Sequence, residues 1–392
     1  MSRSLGHWVA FALSLAAVLA VAVALQAFAE LANRRFDLTA EQRLSLSPYS
    51  LGVLDEVTEP LYVELYYRRG DRGRPLELLE LMRDHCRNLT YDLVDLDRNP
   101  GRAKDHGVDH YDRAVLRYRG RETVVPASSE ETLIGGIAKL LHDKPRVAYF
   151  VVGHRERGIA PGKDEDYGRA ATLLKNEGWD LRTFSLLHDA KVPDEASLVV
   201  LGGPEVDLVD GELDKLDAYV RGGGSALVLI DPVELPKLEA WLGKQGIVLR
   251  DDVVIDRENR VYGSDGTNAV VPFYREHEAT RALDIPSVLG RARSVSVASG
   301  TDDDPEHQAS VVARTSKESF AAAGASRTKA GEVTFDKERD RQGPVGIMAA
   351  ATVGTGHLVV VGDADFASDA FLPLLGNKDL WLGAIGWLTA DR

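Results

Sequence analysis

The stretch Arg146-Val-Ala-Tyr-Phe-Val-Val-Gly-His-Arg-Glu156 constrains this chain more than any other. A short run rich in β-branched and aromatic residues, ended by glycine, reads as a strand buried on both faces of a parallel sheet. It predicts a strand over Val147–Val152 that stops at Gly153 and presents His154, Arg155 and Glu156. The same pattern recurs downstream. Asp180–Phe184, Ser197–Leu201 and Ala226–Ile230 read as strands, and Tyr167–Glu177, Leu208–Arg221 and Leu235–Leu242 as helices closed by Gly178 or Gly222-Gly223-Gly224,. A short strand follows at Gly246–Leu249. Strand and helix in alternation argue for an α/β fold with a parallel sheet and helices on both faces. The pattern resumes at Val345–Ala351, turns at Val353–Gly356, and continues with a strand at His357–Val361 and a helix at Asp379–Thr389. Between these, about residues 251–343, the chain is polar and reads as an irregular insertion. Weak strands are expected there at Val253–Ile255, Ser294–Val297 and Ala309–Ala313, with exposed loops at Asp302-Asp303-Asp304 and Thr315–Gly343,.

Upstream, residues 59–143 form a second module. Strands are expected at Leu61–Tyr67 and Thr90–Leu96, with a helix at Pro75–Asn88 and a short one at Asn99–His106. Arg113–Tyr118 and Glu122–Val125 pair as a hairpin, and Ser129 caps a helix through Leu141,. This order resembles a thioredoxin-like domain. Redox chemistry in such a domain needs two thiols, one to attack and one to resolve. The chain has a single cysteine, Cys86, late in the helix, so the module reads as a scaffold.

The amino terminus carries 22 residues, Trp8–Ala29, interrupted only by Ser14 and Gln26. As a helix this run is ~33 Å long, enough to cross a hydrocarbon core. It reads as an uncleaved anchor within residues 1–30, although Ala27-Phe28-Ala29 resembles a cleavage site,. Residues 31–58 read as a stalk. Arg34, Arg35 and Arg43 follow the span, and a positive-inside count would place the body in the cytoplasm,. The net charge of −14 excludes a general nucleic-acid binder, which needs basic surface to displace counterions,.

Ligands of open parallel sheets bind outside the carboxyl ends of the strands. Four strands here end in polar or glycine-rich turns: Gly153–Glu156, Gly202-Gly203-Pro204, Asp231-Pro232 and Gly362-Asp363-Ala364-Asp365. If all four point one way, His154, Glu156, Asp231, Asp363 and Asp365 gather at one crevice as ligand-binding candidates. The same residues also suit plain helix starts and turns, where an acidic side chain stabilises by ~0.3–1 kcal/mol. No Gly-x-Ser-x-Gly elbow is present, and residues 144–392 have no cysteine, so no catalytic residue is assigned,. Gly158–Asp164 misses the phosphate-loop spacing and lacks the hydroxyl after its lysine,. No cofactor and no metal are expected; a site from His154 with Asp363 and Asp365 has little support from spacing.

Three stretches together resemble a known family. They are Phe36-Asp37-Leu38-Thr39 with Leu44-Ser45-Leu46-Ser47; Glu131-Thr132-Leu133-Ile134 before Gly153-His154-Arg155-Glu156; and Gly362-Asp363-Ala364-Asp365-Phe366 before Gly376-Asn377-Lys378-Asp379 and Trp387-Leu388. Their order and spacing are similar to the gliding-motility-associated, GldG-like auxiliary subunits of ABC-2-type transporters. That family usually has Gly-His-Gly-Glu where this chain has Arg155. The resemblance implies a non-enzymatic subunit anchored in the bacterial inner membrane with its soluble body in the periplasm. It implies partnership with a multi-span permease and a separate ATPase, and a cell-envelope protein or polysaccharide as ligand. It further implies that residues 144–392 form a flavodoxin-like module related to class I glutamine amidotransferases, without the catalytic cysteine. Two other readings stay open: a hydrolase or metal-dependent enzyme at the crevice, and an envelope tether acting through the acidic 301–343 segment.

Overall fold

Two sheets carry the chain, and the burial of their strands explains both. The computed structural model describes residues 46–68, 73–141, 146–259, 266–275, 277–280, 283, 285–298, 307–324 and 333–390. The anchor expected over Trp8–Ala29 and the acidic Asp302-Asp303-Asp304 lie outside these residues. Among the described residues no helix is long and apolar enough to cross a membrane.

The first sheet holds β1 (Leu61–Tyr67), β2 (Leu89–Asp95), β3 (Arg113–Tyr118) and β4 (Arg121–Pro126) in the order β2-β1-β3-β4. β1 runs parallel to β2 and antiparallel to β3. Helices Gly73–His85 and Glu130–Leu141 supply much of its cover through Leu79, Met82, Leu133, Ile134 and Ile137, all buried. Cys86 is buried and unpaired. One charge sits inside this sheet. Glu64 accepts hydrogen bonds from the Tyr66 hydroxyl at 2.9 Å, Arg102 Nε at 3.2 Å and Arg117 at 2.9 Å.

The second sheet starts with β5 (Val147–Val151), β6 (Asp180–Phe184), β7 (Ala196–Gly202) and β8 (Ser225–Leu229). Short strands follow: β9 (Ile247–Leu249), β10 (Asp252–Ile255), β11 (Asn268–Val271), β12 (Phe273–Tyr274), β13 (Ser287–Arg291) and β14 (Val295–Val297). The chain then forms β15 (His307–Arg314), β16 (Phe320–Ala323), β17 (Arg341–Gln342), β18 (Gly346–Val353) and β19 (Gly356–Val361). The sheet order is β12-β15-β18-β19-β8-β7-β5-β6. β19, β8, β7, β5 and β6 are parallel, as the alternation predicts; β18, β15 and β12 extend the sheet antiparallel. The turn between β18 and β19 forces that reversal. Gly354 takes φ +60°, and a Cβ on Gly356 would meet the Val220 carbonyl oxygen at 1.9 Å,.

The described residues of 251–343 are not irregular. They contribute strands to several small sheets, β10-β16-β17, β11-β13 and β14-β9, besides β12 and β15 of the large one. Thr315, Ser316 and Ser319, expected on an exposed loop, are buried. Polar residues are interior here because each finds a partner. Asp252 accepts from the Ser294 N–H at 2.8 Å and hydroxyl at 2.6 Å, and Asp256 accepts from the Ser316 hydroxyl at 2.6 Å. Arg293 donates to the carbonyls of Arg250 and Val233.

Ser47–Arg392 forms one compact unit. At the junction of its sheets, helices Glu130–Leu141 and Gly168–Asn176 touch so closely that a Cβ on Gly135 would lie 1.8 Å from the Asn176 carbonyl oxygen. Helix Asn377–Thr389 packs on the large sheet with Leu380, Trp381 and Leu388 buried. Its Lys378 pairs with Glu131.

Glu64 gives a first test. Burial opposes its ionisation, but Arg102, Tyr66 and Arg117 outweigh that and hold its carboxyl below the ordinary 4.5. Glu64→Gln leaves two guanidiniums short of a partner and is expected to cost about 2–3 kcal/mol in urea unfolding at pH 7. The contribution of a depressed carboxyl exists above its unfolded pKa and is lost as pH falls through the folded one. The gap between wild type and variant should therefore close below about pH 4. A gap unchanged from neutral to acid pH would contradict this account.

Candidate functional site

Strand register places the tips at one level. Val361, Leu229 and Gly202 are aligned across β19, β8 and β7. The chain leaves each strand on the same edge, and the β5 turn lies beside them through the Arg157 N–H, which donates to the Gly202 carbonyl at 3.0 Å. In this sheet β6 lies on one side of β5 and β7 on the other, so the order reverses between β5 and β7. That reversal opens a crevice at the carboxyl edge.

The structure divides the five expected residues between two clusters. His154 and Glu156 form the first. The Glu156 side chain folds back, with Oε2 accepting the His154 N–H and Oε1 facing Nδ1, both at 2.7 Å. Nε2 lies 3.1 Å from both carboxylate oxygens of Glu212, in the first turn of helix Asp210–Arg221. Glu212 also accepts the Val209 N–H at 2.9 Å, so it caps its own helix,. The two glutamate side chains are 2% and 3% exposed and the imidazole 7%, which leaves little water to screen the contacts. The hydrogen bond to Glu156 raises the His154 pKa, burial lowers it, and Glu212 raises it again; the net shift is upward. An imidazolium donating from both ring nitrogens fits this geometry. Arg155, between the pair, adopts φ +64°, the conformation a glycine takes more easily, and points into solvent toward Glu205,.

Asp231, Asp363 and Asp365 form the second cluster around a residue the sequence did not single out, Arg157. Its guanidinium lies 2.7 Å from Asp231 and 2.6 Å from Asp365, donates to the Glu165 carbonyl at 3.2 Å, and stacks over the Tyr167 ring at 5.9 Å. Gly203, at φ +67°, leaves room for it: a Cβ there would be 3.0 Å from Arg157 Nε. Asp231 also accepts the Ala364 N–H at 2.7 Å. Asp363 is wholly buried. Its Oδ2 accepts the Gly290 N–H at 3.1 Å and the Phe366 N–H at 2.9 Å, while Oδ1 has no partner. Burial, then Asp365 and Asp231, push its pKa well above the ordinary carboxylate value. Burial likewise raises Asp231, against the pull of Arg157. Strand β13 walls this cluster. Arg293 donates its N–H to the Gly362 carbonyl at 2.6 Å, and Asn377 pairs with both the N–H and the carbonyl of Val288.

Glu212, Arg157 and Gly290 are the functional-edge residues that sequence reasoning missed. Glu212 had a signal, an acid at the third position of a helix. Arg157 had one as well, a cation next to a turn facing acidic tips. Gly290 had none. The near-miss phosphate loop is closed by its own aspartate: the Gly158 N–H donates to Asp166 Oδ1 at 2.7 Å.

Residues 144–262 match the model of a family described as an ABC-type uncharacterized transport system. The matched stretch includes His154, Glu156, Arg157, Glu212 and Asp231 and ends before Asp363. It supports an ABC-transporter auxiliary family and a role as an auxiliary component of an ABC transport system. No curated protein matches the chain. Among solved structures, the mmIFT52 N-terminal domain is 18% identical over 62% of this chain and 98% of its own, with a TM-score of 0.47. A ThuA-like protein from Parabacteroides merdae is 12% identical over 63% of this chain and 90% of its own, TM-score 0.37. A β-galactosidase from Bacillus circulans sp. alkalophilus is 13% identical over 64% of this chain and 33% of its own, TM-score 0.34.

The His154 knot sets a pH dependence. A histidine whose folded pKa is raised above 6.5 contributes stability in full below that value and loses it as pH rises through the folded pKa,. The thermal midpoint should fall as pH rises from about 6.5 to 9. His154→Gln cannot carry the charge; it should be less stable at pH 6 by roughly 2–4 kcal/mol and show a flatter profile. Parallel profiles for wild type and variant would exclude a charged His154.

Proposed function

We propose that this chain is a non-enzymatic auxiliary subunit of an ABC-2-type transporter, anchored by its amino-terminal span with its body outside the cytoplasm. The observation that carries the reading is the match of residues 144–262 to the ABC transport-system family. The GldG-like motifs extend it. In this reading the first sheet is a thioredoxin-like module without redox function, and the second a flavodoxin-like module of amidotransferase type. The first order, β2-β1-β3-β4, and the parallel core β19-β8-β7-β5-β6 support those two assignments.

The strand tips support a binding rather than a catalytic role. A general base needs a free lone pair within reach of substrate. Both ring nitrogens of His154 face carboxylates, and the Arg157 guanidinium is committed to Asp231 and Asp365. The exposed groups of the same edge, Arg155, Glu205 and Val206, are suited to recognising a partner surface. The partners in this reading are a multi-span permease and a separate ATPase.

Affinity purification of the tagged full chain from native membranes in mild detergent tests the assignment. Permease and ATPase are expected to co-elute and to survive a salt wash. Their consistent absence, also after chemical cross-linking in intact cells, would remove the transporter reading.

A further inference from the structure

We propose that Asp231, Asp363 and Asp365 form a site for one calcium ion, with Arg157 as the tethered cation that steadies the carboxylates when no ion is bound. This goes beyond the transporter reading and stands independently of it.

Four observations converge. The three aspartates each offer an oxygen, and these lie within 4.8 Å of one another. Asp363 is wholly buried, and while two backbone N–H groups saturate Oδ2, Oδ1 has no partner. A buried acceptor left unmade costs free energy that a ligand can return. This carboxylate has an oxygen within 4.8 Å of oxygens of both Asp231 and Asp365, so the incompletely satisfied group stands at this cluster. Third, three carboxyl groups face one guanidinium; with all three ionised, as cation ligation requires, two negative charges are left over, the charge of one divalent cation,. Fourth, the site has a cradle that only glycine permits. A Cβ on Gly290 would stand 2.3 Å from Asp365 Oδ2. The insertion strand β13 thus presents a bare backbone where the third carboxylate rests.

The donor chemistry selects the ion. All three side-chain ligands are hard oxygens, which suit calcium, magnesium or manganese and exclude a preference for soft metals. Calcium takes six to eight oxygens in flexible geometry at about 2.4 Å and tolerates an uneven set of three carboxylates, whereas magnesium demands a near-ideal octahedron at about 2.1 Å and gives up its waters reluctantly. Asp231 and Asp365 are 26% and 31% exposed, so solvent reaches the site and can complete the coordination shell. Arg157 occupies one oxygen of each of these two aspartates, and ion binding must compete with it,.

Calorimetric titration of the full chain with calcium, magnesium and manganese chlorides tests this. One calcium per chain is expected, with a Kd of about 10⁻⁵–10⁻³ M and a calcium-dependent rise in thermal midpoint. Asp365→Asn, at a partly exposed position, should weaken calcium at least tenfold. Gly290→Ala displaces Asp365 without changing any charge and should also weaken it. Arg157→Gln removes the competitor and should tighten calcium about tenfold. If that variant does not fold, Asp365→Asn decides alone. Absence of saturable binding to the folded wild type, or unchanged affinity in Asp365→Asn, overturns the site. Tighter binding of magnesium or manganese overturns the choice of calcium.

Discussion

Arg157 is where the parallel sheet comes together. It follows β5, its N–H closes onto the end of β7, and its guanidinium reaches the aspartates beyond β8 and β19. Four strand ends are thereby tied at one edge. Taking such a charge out of water costs several kcal/mol, and only good geometry on several sides offsets it. Here two carboxylates, a carbonyl and an aromatic face provide that geometry. An apolar set of similar volume would hold the sheet as well. Stability alone therefore does not account for four ionisable groups at this place, and the crevice is where their chemistry is available.

Much of this was legible in the sequence. β5, β8 and β19 announce themselves because strands buried on both faces must be continuously apolar. Their polar ends follow from the rule that ligands meet such sheets at the carboxyl edge, and Asp231, Asp363 and Asp365 do meet there,. The division of the five candidates was not legible. Nothing in spacing says that the Glu156 side chain turns back onto the N–H of His154, or that Glu212, 58 residues away, takes the other ring nitrogen. Those choices belong to rotamers and helix placement, which local pattern does not encode. The wall at β13 was hidden for another reason. β12, β13 and β16 are two to five residues long, too short for a period to register, and the interior there is polar. Arg293, almost fully buried, is satisfied by carbonyls of Arg250 and Val233 that no sequence rule would join to it.

The chain at 251–343 consequently changes status. As an irregular excursion it would be a loop on a finished fold. As built, it completes the fold's edge: β15 extends the large sheet, β13 covers the tip of β19, and Asn377 substitutes a side chain for the strand that β13 lacks on that side. The backbone N–H of Gly290 and the carboxylate of Asp363 belong to segments 73 residues apart, yet each needs the other to be satisfied. The acidic cluster and the insertion are therefore one construction, and removing either exposes buried polar groups of the other.

The junction between the sheets follows the opposite logic. Ser47 N–H and the Ser50 hydroxyl both donate to Glu130, Lys378 pairs with Glu131, and Arg146 reaches Glu56. These ties gather helix Pro48–Asp55, helix Glu130–Leu141 and helix Asn377–Thr389 into one block, so a load on the first is shared by both sheets. Beneath them, Glu177 is held neutral, its pKa pushed up to about 9 by burial and then by Glu131 and Glu130. Its Oε2 lacks a partner, and nearby the Tyr49 hydroxyl and the Trp179 indole N–H approach one another without good hydrogen-bond geometry. Strong pairs around an unsatisfied centre make a joint that is rigid at its rim and weak at its heart. Because the rim pairs are part-buried and the centre is dry, salt weakens the first modestly and the second hardly at all,. Ionic strength is therefore the variable that separates the two contributions to how firmly one sheet holds the other.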